Sequence, residues 1–353
     1  MQRPRHILVF GASYGSLLAI KLLLAGNDVK LVALPAPAAL IDAEGVRVRL
    51  PVKGRDGLVE VDSRKLPGKL SADIPEAVNP AGYDLVVLAM QEPQFRSPDV
   101  RALLMRVAAA RIPCLSIMNM PPLPYLTRVP GIVTEDCRRC YTDATVWDVL
   151  DPALLTHCSA DPQASRLPDQ PENVIQARLP SNFRAARFES AAHTAMLREL
   201  AAGIEAARFD AGTGAVELPV KLKVHDSVFV PLSKWPMLIA GNYRCITREG
   251  MRSIESAVHA ELDATRSAYD WVSDFCRSLG AADDDLVPFA RYAAAATALK
   301  APSSVARSLF GGAAHIERVD RLIQTVAAQH GRRLAALDEI VALVDDQLAK
   351  RGA

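Results

Sequence analysis

The stretch from Arg5 to Pro35 constrains the fold more than any other part of the chain. Residues 7–10 form a short apolar run of the kind found in strands that are buried on both faces. A turn of small residues follows at 11–16, and an apolar helix is predicted over 17–24. A second apolar run begins at Val29. The stretch therefore predicts a β-α-β unit, which is half of a nucleotide-binding sheet.

The turn is the candidate cofactor site. A dinucleotide-binding turn has the pattern G-x-G-x-x-G, and here serines take the second and third glycine positions while one glycine is shifted. Small residues let the main chain approach a pyrophosphate, and a serine hydroxyl can donate to a phosphate oxygen. We predict that a cofactor contacts Gly11, Ala12, Ser13, Tyr14, Gly15 and Ser16. The alternative is an α/β turn that binds nothing.

The end of the second predicted strand bears on which nicotinamide cofactor binds. NAD-binding sheets usually carry an Asp or Glu for the ribose about 20 residues after the glycines. That place holds Val32-Ala33-Leu34-Pro35, and Asp28 stands at the other end of the strand. The missing carboxylate favours NADP, with NAD as the alternative.

Length and composition limit the class of protein. A chain of 353 residues suggests two domains, and an apolar content of 50% supplies a large core. The net charge of +1 gives no reason to expect nucleic acid as a partner. No run approaches the roughly 18 uncharged apolar residues of a membrane span. The first strand begins so early that we expect no secretory signal and a cytoplasmic location.

The cysteines do not indicate a metal site. Cys137 and Cys140 have the C-x-x-C spacing, but the second pair that a zinc ribbon needs is missing. A redox pair would usually open a helix, whereas this pair precedes a predicted strand at 141–147. We therefore predict ordinary thiols and no metal.

Further strands and helices complete the first half of the chain. An alternating strand at 45–50 is predicted to pair with 59–61, and buried parallel strands are predicted at 84–90 and 114–118. Met90 and Gln91 close one of these strands and Asn119 follows the other, so they lie at the edge where open α/β sheets bind ligands. Residues 141–185 are predicted to form a divergent excursion of the sheet. Helices are predicted at 99–110 and 191–207.

The second half has a helical pattern throughout. We predict helices over 220–240, 252–280, 285–300, 303–331 and 334–351, with a break at Gly311 and Gly312. The predicted fold class is therefore α/β: a Rossmann-type parallel-sheet domain over 1–212, followed by an all-α C-terminal domain over 213–353.

Two groups of residues in the second half have the chemistry for carbonyl reduction. Lys221 and His225 are four apart and would share one face of a helix. A lysine that is partly desolvated in a cleft has a lowered pKa and can act as a general acid. Ser303 marks a helix start, and Glu317 falls in the next helix. Taken alone, a solvated lysine and a solvated glutamate are the simpler interpretations.

The chain resembles the ketopantoate reductase family of NADPH-dependent 2-oxo acid reductases, as a divergent member. Four places carry the resemblance, and the last of them is the most specific: FGASYGSLLA at the start, LAMQEPQ at 88–94, SIMNM around Asn119, and KLKVH together with SSVARSLFGGAAHIERVD. The family's C-terminal domain is similar to that of 6-phosphogluconate dehydrogenase.

The resemblance implies roles at individual positions. Lys221 matches the lysine that protonates the carbonyl oxygen, with Lys223 as the alternative because the register is uncertain by one residue. Glu317 matches the glutamate that binds substrate and orients the lysine. Ser304, or Ser303, matches the serine that meets the substrate carboxylate. Asn119 matches the asparagine beside cofactor and substrate.

Departures from the family pattern bear on the substrate. His225 stands where the family has a substrate-binding asparagine, and Gln91 replaces a lysine near the cofactor. We therefore predict the reaction type, reduction of a 2-oxo acid or related carbonyl, and a substrate other than ketopantoate.

Two further hypotheses stay open. An opine-type dehydrogenase condenses an amine with a 2-oxo acid, and it has a similar glycine turn, a helical second domain and a histidine that His225 could imitate. A non-catalytic NADP-binding paralogue would explain the altered turn and the missing lysine at Gln91. The sequence leaves the oligomeric state open, and a homodimer is one alternative.

Overall fold

The computed structural model describes residues 3–159, 164–167, 169–212 and 214–352. Contacts divide the chain into two compact units. The first comprises Met1–Met90, Gln94–Met118 and Asp148–Asp226, and the second comprises Gln91–Pro93, Asn119–Trp147 and Ser227–Ala353. The division thus falls after Asp226 rather than near 212, because residues 220–225 complete the sheet of the first unit.

An eight-stranded sheet forms the centre of the first unit. Its pairs are parallel except for one antiparallel pair, and β1 lies between β2 and β6. In their order across the sheet the strands are β14 (Val220–His225), β11 (Ser181–Ala186), β8 (Leu155–Cys158), β7 (Cys114–Ile117), β6 (Leu85–Leu88), β1 (His6–Phe10), β2 (Asp28–Val32) and β5 (Leu70–Asp73).

The α-helices in the described part of this unit are α1 (Tyr14–Leu24), α2 (Pro35–Glu44), α3 (Pro98–Ala109) and α6 (Ala191–Ala206). The first of them is buried from Gly15 to Leu23, which explains why its sequence is apolar on all sides. Helix α6 begins at the cap Ser190, whose side chain accepts a hydrogen bond from the His193 N–H.

A smaller sheet packs into the same unit. It has the order β4 (Leu58–Asp62), β3 (Arg47–Pro51), β10 (Val174–Ala177), β9 (Ala164–Ser165), and a separate hairpin joins β12 (Phe209–Asp210) to β13 (Ala215–Val216). The predicted pairing of the strands near 45–50 and 59–61 is confirmed. The predicted excursion at 141–185 is split, since β8 and β11 join the main sheet; its residues 160–163 and 168 lie outside the described part.

The second unit is helical. Its α-helices are α4 (Leu123–Leu126), α5 (Thr134–Cys137), α7 (Lys234–Met237), α8 (Ile254–His259), α9 (Leu262–Leu279), α10 (Phe289–Ala296), α11 (Ser304–Phe310), α12 (Val319–Gln329) and α13 (Ala335–Gly352). A π-helix at Leu238–Asn242 continues α7, and short 3-10 helices include Arg138–Cys140, Val230–Ser233 and Tyr243–Cys245. The predicted fold class, a Rossmann-type α/β part followed by a helical C-terminal part, is confirmed.

Three predicted elements are wrong. The helix over 220–240 is strand β14 followed by short helical turns, and 252–280 is two helices. Residues 141–147 contain a 3-10 helix, Ala144–Val149, instead of a strand. The segment VKLKVH shows why: its apolar residues alternate with period two, and this alternation signals a strand.

None of the helices in the described ranges is long and apolar enough to cross a membrane. All six cysteines are buried. Burial raises the pKa of the Cys137 thiol to about 12, which removes the thiolate that redox or metal chemistry needs. Within the described residues no three His, Cys, Asp or Glu side chains are grouped so that they could hold a metal ion.

Two glycines with nearly the same φ angle distinguish the cost of backbone strain from the cost of a steric clash. Gly11 and Gly82 have φ values of 96° and 94°, but a Cβ at Gly11 would lie 2.4 Å from the Ala89 carbonyl oxygen, whereas one at Gly82 meets nothing within 4 Å. We expect Gly82→Ala to lower the free energy of unfolding by about 1 kcal/mol and Gly11→Ala by about 3 kcal/mol or more. Urea unfolding of both variants measures the difference, and equal losses would contradict the close contact.

Candidate active site

The turn after β1 is held tightly by its neighbours. The Gly11 N–H donates to the Val32 carbonyl oxygen at 2.9 Å, and the Ala89 N–H donates to the Phe10 carbonyl oxygen at 2.9 Å. A Cβ at Gly11 would also lie 2.7 Å from Cγ of Met90, so Met90 lies against the turn as predicted for a strand-end residue. The glycine therefore lets β1 turn sharply at the ends of its two neighbouring strands.

The start of α1 has the features of an anion site. Ser13 is the N-cap residue, but its side chain makes no capping hydrogen bond, so it does not satisfy the first N–H groups of the helix. Ser16 differs from the prediction, because its buried hydroxyl donates to the Ala12 carbonyl oxygen at 2.9 Å. Ser13 and the first-turn N–H groups are thus the donors that fit a phosphate here.

The end of β2 carries no charge that would select a cofactor. Leu34 is the N-cap of α2 and is 74% exposed. Asp28 lies at the opposite end of the strand, as predicted, where it accepts a hydrogen bond from the Lys69 N–H. Lys30 forms an ion pair with Asp73. The end of β2 itself therefore lacks the carboxylate of an NAD site, as predicted, while Asp73 of the neighbouring strand β5 is paired with Val32 at this edge.

Glu317 is a buried acid of the second unit, 5% exposed. Its Oε1 accepts hydrogen bonds from the N–H groups of Met120, at 3.3 Å, and Glu92, at 3.4 Å. Burial raises the pKa of Glu317 to about 7, although these bonds oppose the shift. Tyr243 fixes the main chain, since its hydroxyl donates to the Glu317 carbonyl oxygen and accepts from the Val319 N–H. Glu317 is therefore a rigidly held acid that gains and loses its proton close to neutral pH.

Asn119 contacts Glu317, a contact that the sequence did not predict. Its Nδ2 donates to Oε2 of Glu317 at 3.3 Å. The other amide atom, Oδ1, is buried and has no hydrogen-bond partner among the described residues. A buried acceptor without a donor is costly, and ligands commonly satisfy such atoms. This unsatisfied oxygen beside a protonated acid is suited to a substrate hydroxyl or carbonyl group.

Glu92 is a second buried acid, which the sequence analysis missed. It is 3% exposed, and its carboxylate accepts hydrogen bonds from the N–H and the hydroxyl of Thr142. Burial raises the pKa of Glu92 to about 7. The sequence signal for Glu92 is a charged residue that follows an apolar strand and Met90-Gln91. A charged residue in a surface loop after a strand gives the same pattern.

A cavity of about 490 Å³ is lined by Gln91, the residue before Glu92 in the chain. Ser304, Arg307, Ser308 and residues 311–313 complete the lining. Ser308 Oγ donates to Oε1 of Gln91 at 3.3 Å. Arg307 is exposed, and its guanidinium donates to the Pro302 carbonyl oxygen, with no carboxylate partner in the described part of the chain. Hydroxyl, amide and guanidinium donors together suit an anionic group.

The two candidate serines have different roles. Ser303 is 1% exposed, accepts the N-cap bond from the Ala306 N–H, and donates to the Asn242 carbonyl oxygen at 2.6 Å. Its hydroxyl is fully used by the fold. Ser304 lines the cavity, so it is the serine available to a ligand.

Lys221 lies in the first unit, on strand β14, instead of on a helix face shared with His225. Its Nζ is 2.8 Å from carboxylate oxygens of both Glu205 and Glu217. The bond to Glu205 has the larger effect and the bond to Glu217 the next, and both raise the pKa of Lys221. The predicted lowering of this pKa is therefore wrong. Side chains alternate along a strand, so Lys223 and His225 lie on the same face of β14 as Lys221. In the pairing of β14 with β11, Lys223 is opposite Arg184 and His225 is opposite Ala186. Carbonyl protonation by Lys221 stays a prediction, and its ion pairs oppose it.

Comparison with known proteins shows the fold. No protein-family model matches the chain, and no curated protein matches its sequence. Solved structures do match over nearly the whole length. A PanE/ApbA family ketopantoate reductase from Ralstonia eutropha JMP134 is 17% identical with a TM-score of 0.66, covering 99% of this chain and 100% of its own.

Two other solved structures extend the likeness. D-mandelate dehydrogenase, solved with NADH and anilino(oxo)acetate, is 14% identical with a TM-score of 0.62, covering 99% of both chains. A dimeric ketopantoate reductase from Staphylococcus aureus is 10% identical with a TM-score of 0.59, covering 98% of this chain and 100% of its own. The chain therefore has the ketopantoate reductase fold, which confirms the fold that the resemblance predicted.

The raised pKa of Glu317 makes stability depend on pH. Unfolded, the group titrates near 4.5, and folded near 7, so the folded state loses stability as pH rises through this interval. Between pH 4.5 and 8 we expect wild type to lose about 3 kcal/mol more unfolding free energy than Glu317→Gln. Urea unfolding across this range measures it. Glu339→Gln, at an exposed position, is the control and should lose as much unfolding free energy as wild type. An equal loss in Glu317→Gln would contradict the raised pKa of Glu317.

Proposed function

We propose that the protein is an NAD(P)-linked oxidoreductase that reduces the carbonyl group of a 2-oxo acid or a related compound. The observation that carries this proposal is the contact between the buried acid Glu317 and the amide of Asn119, whose Oδ1 has no hydrogen-bond partner among the described residues. One group donates a proton at neutral pH and the other accepts a hydrogen bond, as the conversion of a carbonyl to a hydroxyl requires. The likeness to ketopantoate reductases and to a mandelate dehydrogenase supports the same class.

The chain's own residues have distinct parts in this reaction. Glu317 gives its proton to the carbonyl oxygen, and Asn119 accepts a hydrogen bond from the hydroxyl that forms. The substrate carboxylate takes the donors of Ser304 and Arg307 in the cavity. A site in which Glu317 is the proton donor differs from the lysine-based site that the resemblance implied. It requires no role for Lys221.

The turn after β1 fits the cofactor. Gly11 allows the main chain to come close, Ser13 leaves the first N–H groups of α1 to a phosphate, and Met90 borders the turn. A bound reduced nicotinamide would supply the hydride. NADP remains preferred on the sequence argument alone, with NAD as the alternative, and a homodimer and a cytoplasmic location stay predictions.

The alternatives have unequal support. The opine-type hypothesis used His225 on a helix of the second domain, but His225 ends strand β14 of the first unit. That argument is therefore lost. The non-catalytic paralogue gains from the ion pairs of Lys221, and cofactor binding without turnover on any 2-oxo acid would support it.

Ser13 tests the cofactor site without disturbing the fold. In Ser13→Asp the carboxylate would cap α1, which keeps or raises stability, and it would repel a phosphate at the same place. We expect affinity for NADPH or NADH to fall at least tenfold, measured by nicotinamide fluorescence titration. Ser13→Ala is the matched control and should stay within about threefold of wild type. Equal affinity in Ser13→Asp would place the cofactor elsewhere.

Glu317 and Lys221 separate the two candidate proton donors. With a panel of 2-oxo acids, with and without amines, we expect Glu317→Gln to lower kcat/KM at least a hundredfold, since the proton donor is lost. Lys221→Ala should stay within about fivefold, because its charge is compensated by Glu205 and Glu217. The reverse result would restore the lysine mechanism. Absence of turnover in wild type that still binds cofactor would reject the enzyme proposal.

A further inference from the structure

Another cavity of the second unit, of about 470 Å³, contains none of the residues that the proposed reaction uses. Arg139, in the 3-10 helix Arg138–Cys140, lines it together with residues of α12, of the loop that follows α12, and of the first turn of α13. Three arginines belong to this lining, namely Arg139, Arg332 and Arg333. We call this space the arginine cavity.

Arg332 is half-buried, and uncharged groups hold its guanidinium. Nη1 donates to the Ser278 hydroxyl at 3.1 Å and to the Asp274 carbonyl oxygen at 3.5 Å. The guanidinium carbon lies 5.4 Å from the ring centre of Trp271 and 5.8 Å from that of Phe275. No carboxylate in the described ranges pairs with this arginine. The side chain is therefore held in one orientation while its positive charge stays uncompensated.

Arg139 is a second arginine of the cavity without a carboxylate partner among the described residues. It is exposed, and its Nη2 donates to the hydroxyl of Thr325 at 3.5 Å. Thr325 is only 4% exposed and lines the same cavity, so a group fixed in the fold holds this guanidinium at the cavity wall. Two planar guanidinium groups with uncompensated charge thus border one space.

The acidic side chain of the lining, Asp338, is already bonded. It accepts hydrogen bonds from Nε of Arg333 at 2.5 Å and from Nε2 of Gln324 at 2.6 Å. The ion pair with Arg333 cancels one positive charge of the lining. Three arginines and one aspartate therefore leave a net charge of +2, which Arg139 and Arg332 supply.

We propose that the arginine cavity is a binding site for a phosphate group. Guanidinium groups bind phosphate oxygens through paired, charge-assisted hydrogen bonds, and the two negative charges of phosphate match the net charge of the lining. Arginines that are already held lose little conformational freedom on binding, which favours affinity. The cavity has the volume of a small-molecule pocket, and Ala327, Leu334 and Leu337 give it an apolar wall.

Trp271 makes binding at this cavity measurable, because the Arg332 guanidinium lies over its ring. The protein is titrated with inorganic phosphate at constant ionic strength while tryptophan emission is followed. We expect a saturable change in emission, and Trp271→Phe should abolish it. A wild-type protein without a saturable change, or a change that persists in Trp271→Phe, would overturn the proposal.

Arg139→Gln tests the role of the cavity without altering the contact between Arg332 and Trp271. The dissociation constant for inorganic phosphate should rise about tenfold, since a charge-assisted hydrogen bond is lost. Arg291→Gln is the matched control, because it removes the same charge from an exposed position outside the lining. Its dissociation constant should stay within about twofold of wild type. Equal dissociation constants in Arg139→Gln and Arg291→Gln would contradict the site.

Asp338→Asn should change the affinity in the opposite direction, which damage to the fold would not do. It removes the negative charge of the lining and releases Arg333 for a ligand. We expect the dissociation constant for inorganic phosphate to fall by about twofold or more. Glu339→Gln removes a charge from the next residue, which is outside the lining, and should leave the constant unchanged. An unchanged or weaker affinity in Asp338→Asn would argue against the proposal.

Butyl phosphate distinguishes the two sources of a phosphate group. Tighter binding of butyl phosphate than of inorganic phosphate would show that the apolar wall takes part and that the ligand is a small phosphate ester. Equal or weaker binding would identify free phosphate as the ligand. Both results support a phosphate site. The titrations need neither cofactor nor 2-oxo acid, so they succeed or fail independently of the proposed function.

Discussion

The first unit depends on the close packing of the turn after β1 against the end of β6. A Cβ at Gly11 would lie 2.4 Å from the Ala89 carbonyl oxygen, and one at Gly15 would lie 2.9 Å from Cγ1 of Val9. One glycine therefore allows the sharp turn and the other allows α1 to lie against the sheet. The two glycines of the imperfect nucleotide pattern thus stand where close contact with the sheet requires them.

Most of the first unit could be predicted from the sequence because its elements have clear periodicity. The buried strands near 7–10, 84–90 and 114–118 and the helix near 191–207 were found. Strand β14 was missed because a spacing of four residues places two side chains on the same face of both a helix and a strand. Lys221 and His225 satisfied the helix pattern, and the stronger alternation in VKLKVH was overlooked. Strand β5, at the edge of the main sheet, has a short and partly polar sequence that gives little signal.

A site residue could be predicted only where its position in the sequence, such as the end of a strand, indicates its function. Asn119 follows a buried strand, and the resemblance singled out both Asn119 and Glu317, which are in contact. Glu92 has no comparable signal in the sequence, because the residue that holds its carboxylate, Thr142, lies 50 residues further along the chain. Ser303 and Ser304 could not be told apart, because only the packing around α11 shows which hydroxyl donates to the main chain of the second unit.

The charge of Glu317 depends on which groups its neighbour in the sequence, Arg318, is bonded to. Arg318 is the nearest cation along the chain, yet its guanidinium donates to both Asp320, at 2.9 and 3.0 Å, and Asp345, at 2.6 Å. The hydrogen-bond donors to Glu317 in the described ranges are therefore amides alone. Amides stabilise a carboxylate less than a guanidinium does, so burial prevails and the pKa of Glu317 is raised to about 7. A pairing of Arg318 with Glu317 would have ionised the acid and removed the proton that carbonyl reduction needs.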